Sequence, residues 1–336
     1  MKEIHKLLEH ERSKYRYSLI TGFTCVNILS PDSVVFNPND ISTFEKNIER
    51  RLPGGLSVVD HIPHAVNNPS IDLILENKPD ASLEMYDSKH FKLSGPFQRR
   101  EFYSRLPYIA YNVAEKSRQE ALNMSSLHAA AVATKDGRSL LILGDKGSGK
   151  TLLSLVCGLY CNLGLIGNDL ILTEGQRGQV FIKAGTQIFD VRQAIIKYYF
   201  PQFDAQHLLK WSPYEEKITL LPEEIGIAIG QDTKGLSAVV RINIHPFNDR
   251  TTIEKGARKI QEVLRLRENF ARYIRGIVTP LILDKETVGG NFPSMDSEEL
   301  VKQRDDMIET IMNSNFIYAY GNNPKDIANE IVNLML

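Results

Sequence analysis

An eight-residue segment near the middle of the chain has the spacing of a phosphate-binding loop, G-x-x-x-x-G-K-[ST]. Its members are Gly144, Asp145, Lys146, Gly147, Ser148, Gly149, Lys150 and Thr151. The glycines let the backbone turn tightly, so that successive N–H groups point inward and form an anion-binding nest. Lys150 supplies a point charge to the outer phosphates, and the hydroxyl of Thr151 is a ligand for Mg²⁺. We therefore expect this loop to bind the phosphates of ATP together with Mg²⁺.

The flanks of the loop favour a nucleotide site over an ordinary glycine-rich turn. The apolar run RSLLIL at 138–143 predicts a strand before the loop, and the apolar stretch 151–162 predicts a helix after it. A helix that begins at Lys150 adds the positive end of its dipole to the phosphate site.

A histidine is predicted at the mouth of the loop. The segment AAAVAT at 129–134, the turn KDG and the run RSLLIL form a predicted hairpin, because Asp-Gly is a strong signal for a short connection. In a hairpin that turns at Asp136 and Gly137, His128 pairs near Asp145. An imidazole there can contact a transferring phosphoryl group or a carboxylate, although a lone histidine is more often structural.

Asp169 is the predicted catalytic carboxylate. It follows the apolar run Gly-Leu-Ile-Gly-Asn and precedes the next predicted strand. An acidic side chain in this place can hold Mg²⁺ through water, or it can accept the proton of an attacking hydroxyl. A surface aspartate in a turn is the alternative. We expect a functional role for Asp169, with Asn168 beside it as a neutral orienting ligand.

The chain divides into two predicted modules. The first 120 residues are expected to form an α+β domain, with a helix at 3–15, strands at 17–29, 33–36, 70–76 and 90–95, and a helix at about 104–122. Residues 121–336 are expected to form the catalytic domain, with a second hairpin at 169–184, strands at 224–230, 236–244 and 316–321, and helices at 252–275, 296–314 and 324–335. From its position we expect the N-terminal domain to present or select the acceptor.

Composition narrows the class of protein. A chain of 336 residues with 42% hydrophobic and 24% charged residues is typical of a globular protein. Lys and Arg number 40 against 41 Asp and Glu, so there is no basic surplus for nucleic acid. Three cysteines fit a reducing compartment, and the charged N-terminus is unlike a signal peptide. We expect a cytoplasmic protein that binds neither nucleic acid nor a membrane.

The segment SLHAAAVATKDGRSLLILGDKGSGKTLLSL, followed by GLIGNDLILTE, resembles the catalytic domain of HPr kinase/phosphorylase and related bacterial kinases. Those proteins carry a Ser-Leu-His segment, a short hairpin, a GD-x-G-x-GK-[ST] loop and an Asp-Asp pair in this order. The resemblance covers residues 126–174, and the ending FIYAYGNNPKDIANEIVNLM is also similar. It implies an α/β fold with a P-loop kinase domain of the HPr kinase/PEP carboxykinase-like type, a mixed sheet with flanking helices, and assembly as a homo-oligomer.

By this resemblance, Lys150 and Thr151 bind phosphate and Mg²⁺, His128 faces the phosphates, and Asp169 is the general base toward a substrate serine. Two departures limit what it implies. The first Asp of the pair is Asn168 here, and the Leu-Glu-Ile-Arg-Gly-Leu-Gly signature of true HPr kinase/phosphorylases is absent. We therefore expect neither phosphorylase activity nor HPr as substrate, but an ATP-dependent kinase of another hydroxyl, in a peptide, a protein or a free amino acid.

Two other functions are compatible with the sequence. The segments Asn77–Asp80 and Asp232–Gly235 match the N-K-x-D and D-x-x-G patterns of a circularly permuted GTPase, with the loop between them. Such short patterns arise by chance, and a gap of about 80 residues between Thr151 and Asp232 is long for a GTPase core. Asn168 instead favours a nucleotide-binding protein that has lost catalysis.

Other side chains give weaker signals. Arg241 in a predicted strand, or an arginine of the amphipathic segment 258–275, could reach the phosphates, and the sequence does not choose between them. The aromatic segment 195–222 is expected either to line or cover an acceptor pocket or to belong to the core. Cys157 and Cys161 are expected in the core rather than at a metal.

Overall fold

The structure of the protein, a computed structural model, describes residues 16–30, 47–59, 68–203, 216–230, 233–245, 247–248, 250–276, 280–283 and 288–335. The chain forms two compact units. Unit 1 comprises the described residues up to Ser126 and those within Leu266–Asp305. Unit 2 comprises those within Leu127–Arg265 and those from Asp306 onward.

The described ranges contain both strands and helices. The strands are β1 (Arg16–Thr21), β2 (Thr24–Leu29), β3 (Leu56–Val59), β4 (Ser70–Asn77), β5 (Ser82–Met85), β6 (His90–Gly95), β7 (Met124–Leu127), β8 (Ala130–Ala133), β9 (Ser139–Leu143), β10 (Gly164–Gly167), β11 (Ile171–Gln176), β12 (Gln179–Gly185), β13 (Phe189–Arg192), β14 (Lys217–Leu220), β15 (Leu236–Ile244), β16 (Thr252–Lys255), β17 (Pro280–Leu283), β18 (Val288–Asn291) and β19 (Asn315–Gly321). The α-helices are α1 (Ile48–Arg51), α2 (Arg100–Tyr103), α3 (Leu106–Leu122), α4 (Lys150–Cys161), α5 (Gln193–Tyr199), α6 (Lys259–Ile274), α7 (Glu298–Asn313) and α8 (Pro324–Met335). Not one of these described helices is both long and apolar enough to cross a lipid bilayer.

Unit 1 is built on a six-stranded sheet with the order β3-β1-β2-β4-β6-β5. β1 and β2 form an antiparallel hairpin, β2, β4 and β6 are parallel, and β5 is antiparallel to β6. α3 packs against this sheet, and its predicted apolar face is buried. The members of that face are Leu106, Ile109, Ala110, Val113 and Ala114.

A buried ion pair lies in the C-terminal half of α3. Glu115 and Arg118 are fully buried, and Nη2 of Arg118 donates to Oε2 of Glu115 at 2.8 Å. The backbone N–H and the hydroxyl of Ser126 also donate to this carboxylate, at 2.9 and 2.7 Å. Burial alone would raise the pKa of Glu115, but the Arg118 charge and the hydrogen bonds outweigh it and hold the pKa below its ordinary value. The carboxylate is therefore ionised inside the core.

We expect Glu115→Gln to lower the free energy of unfolding by about 3–5 kcal/mol, because it leaves a buried guanidinium without its counter-charge. A carboxyl group whose pKa falls on folding stabilises the protein above its unfolded pKa, and this contribution disappears as the pH falls through the folded value. The difference in unfolding free energy between wild type and Glu115→Gln should therefore shrink once the pH drops below 4.5, the ordinary pKa of a glutamate side chain.

Urea denaturation measures both effects. The control is Glu120→Gln on the same helix, where the side chain is exposed. We expect this variant to change the free energy of unfolding by less than about 0.5 kcal/mol. Similar losses in the two variants would contradict a stabilising role for the buried pair.

Unit 2 is built on a mixed six-stranded sheet with the order β10-β8-β9-β15-β19-β16. β9, β15 and β19 are parallel, whereas β8 runs antiparallel to β9 and β10. The predicted hairpin around Asp136-Gly137 is confirmed, with Ala130 opposite Ile142. Continued outward by two residues, this register brings His128 beside Gly144, one residue from the predicted partner.

The two faces of this sheet carry different side chains. On one face, α4 and α8 pack together against apolar strand residues such as Val132, Ile142 and Val240. Because side chains alternate along a strand, Arg241 stands on the other face, between Val240 and Ile242. This second face carries the polar side chains that belong to the site.

Three predicted elements differ from the structure. The predicted strand 17–29 is a hairpin, because Gly22 and Phe23 have positive φ angles of 53° and 63° and reverse the chain. The predicted strand 224–230 contains a 3₁₀ turn that spans Pro222–Ile225 and a single bridge at Ile229. The predicted helix 252–275 begins only at Lys259, after strand β16 and a glycine, Gly256, at φ 97°.

Several predictions fall on residues that the structure does not describe. The helix 3–15, the strand 33–36, Asp232 of the D-x-x-G pattern and residues 204–215 of the aromatic segment lie outside the described ranges. Residues 266–305 belong to unit 1, whereas the sequence analysis assigns them to the catalytic domain. The division falls inside the continuous helices α6 and α7, where composition gives no sign of a boundary.

Candidate active site

The phosphate-binding loop joins β9 to α4, as the sequence predicts. Gly147 and Gly149 have φ angles of 85° and 97°, in the left-handed region that glycine adopts without strain. Inside the loop, the N–H of Ser148 donates to the carbonyl of Asp145 at 3.1 Å. The N–H of Ile244, at the end of β15, donates to the carbonyl of Ser148 at 2.8 Å. The loop is thus fixed both by its own turn and by the neighbouring strand.

The ammonium group of Lys150 lies against the loop. Its Nζ donates to the carbonyls of Gly144 and Asp145 at 2.8 and 3.2 Å, and the residue is largely buried. Thr151 follows in the first turn of α4 and is half-buried. The ammonium and the positive end of the helix dipole therefore act on the same small volume, which suits the binding of a phosphate chain.

Gly144 has no room for a side chain. A Cβ atom there would lie 2.2 Å from Oγ of Ser148 and 3.0 Å from the carbonyl oxygen of Ile242. The Ser148 hydroxyl is buried and has no hydrogen-bond partner among the described residues. The loop therefore closes tightly at its first glycine.

We expect Gly144→Ala to weaken ATP binding at least about tenfold and to lower the free energy of unfolding by about 1–3 kcal/mol, because the added methyl group overpacks the loop. Isothermal titration calorimetry with ATP and Mg²⁺ measures the first effect. Gly178→Ala, in the turn between β11 and β12 outside the loop, is the control for ATP affinity only: a Cβ there meets nothing within 4 Å, but its φ of 72° strains the substitution and lowers stability for a different reason. Unchanged ATP affinity in Gly144→Ala would show that the tight closure does not matter for the nucleotide.

His128 and Asp169 are brought together by the pairing of β8 with β10. Nδ1 of His128 lies 3.3 Å from Oδ1 of Asp169. The Asp169 side chain is 72% exposed, and its φ of 77° turns it out of the sheet at the end of β10. The structure therefore pairs the two residues that the sequence analysis selected separately.

Asn168 has a different position from the one expected for a ligand. Its side chain is buried, its N–H donates to the carbonyl of Thr186 at 2.8 Å, and its Nδ2 donates to the carbonyl of Ile188 at 3.3 Å. These bonds hold the turn that presents Asp169. Asn168 thus has a structural role in this turn, and its role as a neutral orienting ligand stays a prediction.

A cavity of about 430 Å³ adjoins the loop on the second face of the sheet. One wall is the loop segment 145–148, and the others come from β15, β19 and α6. Three arginines line it: Arg241, Arg258 and Arg265. The sequence left open whether Arg241 or an arginine of the segment 258–275 lies near the loop. In the structure, Arg241 and two arginines of that segment line the same cavity as the loop.

Arg241 is held in place by Glu262. The Glu262 carboxylate is 1% exposed, accepts a hydrogen bond from Nε of Arg241, and accepts a second from Arg265 at 3.0 Å. Nη1 of Arg241 lies 3.9 Å from Oδ1 of Asp145 in the loop. Sequence analysis did not select Glu262, and an isolated acidic residue on an amphipathic helix gives no signal that it faces a strand arginine.

Two tyrosines complete the cavity. The rings of Tyr318 and Tyr320 are parallel, with centroids 6.3 Å apart and an interplanar angle of 2°. The guanidinium of Arg258 lies 4.9 Å from the Tyr318 ring centroid, and the N–H of Arg258 donates to the Tyr318 hydroxyl at 2.8 Å. Burial raises the pKa of Tyr318, so its hydroxyl stays neutral.

The remaining sequence signals lie outside this arrangement. The N-K-x-D pattern at Asn77–Asp80 belongs to unit 1, where Lys78 pairs with Glu76 at 2.8 Å. Cys157 is buried in the core and Cys161 is half-buried. In the part of the chain that the structure describes, no group of three or more His, Cys, Asp or Glu residues is arranged to hold a metal. A Mg²⁺ ion that arrives with a nucleotide takes most of its ligands from phosphate and water.

The fold is mixed α/β, with several mixed sheets and flanking helices around a phosphate-binding loop. No protein-family model matches the sequence, and no curated protein does. Among solved structures, the chain is weakly similar to the Hpr(Ser) kinase/phosphatase from Coxiella burnetii, with a TM-score of 0.24 and 14% sequence identity over 38% of this chain and 76% of that chain. A likeness of this strength carries no inference about activity.

Proposed function

We propose that this protein is an ATP-dependent kinase that transfers the γ-phosphoryl group of ATP to a hydroxyl, in the first instance that of a serine in a peptide, a protein or a free amino acid. One observation carries the proposal. The phosphate-binding loop follows β9, the imidazole precedes β8, and the exposed carboxylate paired with it follows β10, so the three groups lie on three successive strands of one sheet in the same unit.

The loop supplies charge stabilisation. Its backbone amides and Lys150 neutralise the negative charge that develops on the transferred phosphoryl group. Thr151 is the residue that would hold Mg²⁺, with Asp169 contributing through water. The ion, when bound, neutralises the phosphate oxygens. Catalysis of this kind depends mainly on position and electrostatics, which suits a loop fixed by β15.

Asp169 supplies the base. Its carboxylate accepts the proton of the acceptor hydroxyl while the hydroxyl oxygen forms a bond to the γ-phosphorus, and the bond from that phosphorus to the bridging oxygen breaks to release ADP. His128, 3.3 Å from the carboxylate, orients it. The high exposure of Asp169 leaves the other carboxylate oxygen accessible to an acceptor.

The proposal is tested by incubation with labelled ATP, Mg²⁺ and a panel of acceptors, with mass spectrometry to identify the product. The panel contains free serine, threonine, serine-bearing peptides, a carrier protein and sugars. We expect at least one hydroxyl compound to gain a phosphate. Background ATP turnover with every acceptor would refute a kinase, and a clear preference for GTP in competition would favour a GTPase.

A further inference from the structure

The cavity beside the loop has the dimensions of a binding site for a small molecule. Its volume of about 430 Å³ lies within the range of roughly 300–1,000 Å³ that is usual for ligand pockets. The loop segment 145–148 forms one wall, so a molecule in the cavity lies next to the phosphates that the loop would bind. An acceptor for a phosphoryl group needs this proximity.

The charges of the lining favour an anion. The four cationic side chains of the lining are Lys146, Arg241, Arg258 and Arg265, and they face two carboxylates, those of Asp145 and Glu262. Positive charge in a concave, partly dehydrated site attracts carboxylates and phosphates strongly. A neutral sugar or an unmodified apolar compound gains nothing from this excess of positive charge.

The guanidinium group of Arg241 is held in one position by its surroundings. Its side chain is only 11% exposed, and Glu262 occupies Nε from behind. On the side that faces the loop, Nη1 of Arg241 lies 3.9 Å from Oδ1 of Asp145. This contact is longer than a hydrogen bond, so an incoming anion can take the place of the Asp145 carboxylate. Arg265 is anchored to the same Glu262 carboxylate but is 46% exposed. Two guanidinium groups are thus held around one buried carboxylate, which lowers the entropic cost of binding an anion between them.

The aromatic wall fits the organic part of such a ligand. Tyr318 and Tyr320 present parallel rings on β19, and Arg258 covers one of them. Tyr318 is only 2% exposed beneath Arg258, so a short carbon skeleton can pack along the partly exposed ring of Tyr320 while its charged end contacts the arginines.

We infer that this cavity is the acceptor site and that the acceptor is a small hydroxyl compound carrying a carboxylate or a phosphate. The anionic group lies between Arg241 and Arg265, and the hydroxyl points out of the cavity, across the loop, towards Asp169, which follows β10 and is not among the lining residues. The inference rests on the proposed kinase function, which it makes more specific.

The test compares four acceptors that differ in charge. L-serine carries a carboxylate, sn-glycerol 3-phosphate carries a phosphate, and L-serinamide and glycerol carry no anionic group. Phosphoryl transfer from ATP gives KM and kcat for each acceptor, and calorimetry in the presence of ADP and Mg²⁺ gives binding. We expect at least one anionic compound to bind at least about tenfold more tightly than its neutral counterpart, because hydrogen bonds to charged groups contribute that much. The preferred compound distinguishes a carboxylate from a phosphate.

The principal variant is Arg265→Gln, because its half-exposed side chain can be changed without opening the core. It should raise the KM of the anionic acceptor about tenfold and leave the KM of ATP unchanged. The double variant Arg241→Gln/Glu262→Gln removes both buried charges together, and we expect at least the same increase. Arg192→Gln is the matched control, since Arg192 is exposed at the end of β13 and does not line the cavity.

The outcomes separate the two proposals. The inference is wrong if serinamide and glycerol bind or react equally well compared with the anionic compounds, or if Arg265→Gln does not change the KM of the anionic acceptor. The proposed kinase function would still stand in that case. If no compound is phosphorylated but an anion binds and Arg265→Gln weakens it, the kinase is wrong and the anion site remains. If no anionic probe binds or reacts, the inference is overturned.

Discussion

Replacing Lys150 with alanine should lower kcat/KM for phosphoryl transfer by about 10³-fold, because the ammonium neutralises charge that appears on the phosphoryl group in the transition state. Nζ of Lys150 already lies within hydrogen-bond distance of two loop carbonyls, so it is held at the position where we propose that the phosphates bind. ATP binding should also weaken, but less than turnover, since the charge on the phosphates grows during transfer.

Initial rates with labelled ATP measure this effect, and thermal unfolding shows that the variant remains folded. Lys183→Ala is a suitable control, because Lys183 lies on β12 and pairs with Glu174 at 3.4 Å, away from the loop. A Lys150→Ala protein with normal turnover would mean that the loop does not bind the reacting phosphates.

Asp169→Asn should leave the affinity for ATP and Mg²⁺ within about threefold of wild type and reduce transfer by about 10²–10⁴-fold, because an amide does not accept the hydroxyl proton. The substitution is conservative for the fold. Asparagine tolerates the positive φ of 77° at this position, and the side chain is mostly exposed.

The control for this variant is Asp136→Asn in the turn between β8 and β9, at the far end of the hairpin from His128. Separate measurements of nucleotide binding and phosphoryl transfer are needed, since only their divergence supports a base. If Asp169→Asn phosphorylates normally, another group takes the proton, and Asp145 in the wall of the cavity is then the next carboxylate to replace.

The loop and its nearest partners are predictable from the sequence because they depend on local signals. The Asp-Gly turn fixes the register of β8 and β9, and this register alone brings His128 to the loop within one residue of the predicted pairing. The strand and helix that flank Lys150 follow from apolar periodicity. The contact between Asp169 and His128 follows from the pairing of β10 with β8, which the sequence analysis did not predict.

The cavity was not predictable in the same way. Arg241 and Glu262 lie 21 residues apart, on a strand and a helix, and their hydrogen bond depends on how α6 packs over the sheet. Arg241 is the charged residue within the apolar strand β15, which marks it as unusual in the sequence. Its partner, Glu262, gives no such local signal. The assignment of 266–305 to unit 1 also depends on long-range packing, because α6 and α7 continue through the boundary without a break.

The bond from the N–H of Ile244 to the carbonyl of Ser148 has a consequence for how the site can vary. A Cβ at Gly149 would lie 3.0 Å from the Ile244 side chain, so this residue touches the loop through both its backbone and its side chain. Arg241 lies three positions earlier on the same strand. If the proposed function and acceptor site hold, a shift of β15 that fitted Arg241 to a new acceptor would also displace the loop proposed to bind the nucleotide, so the two specificities would be coupled.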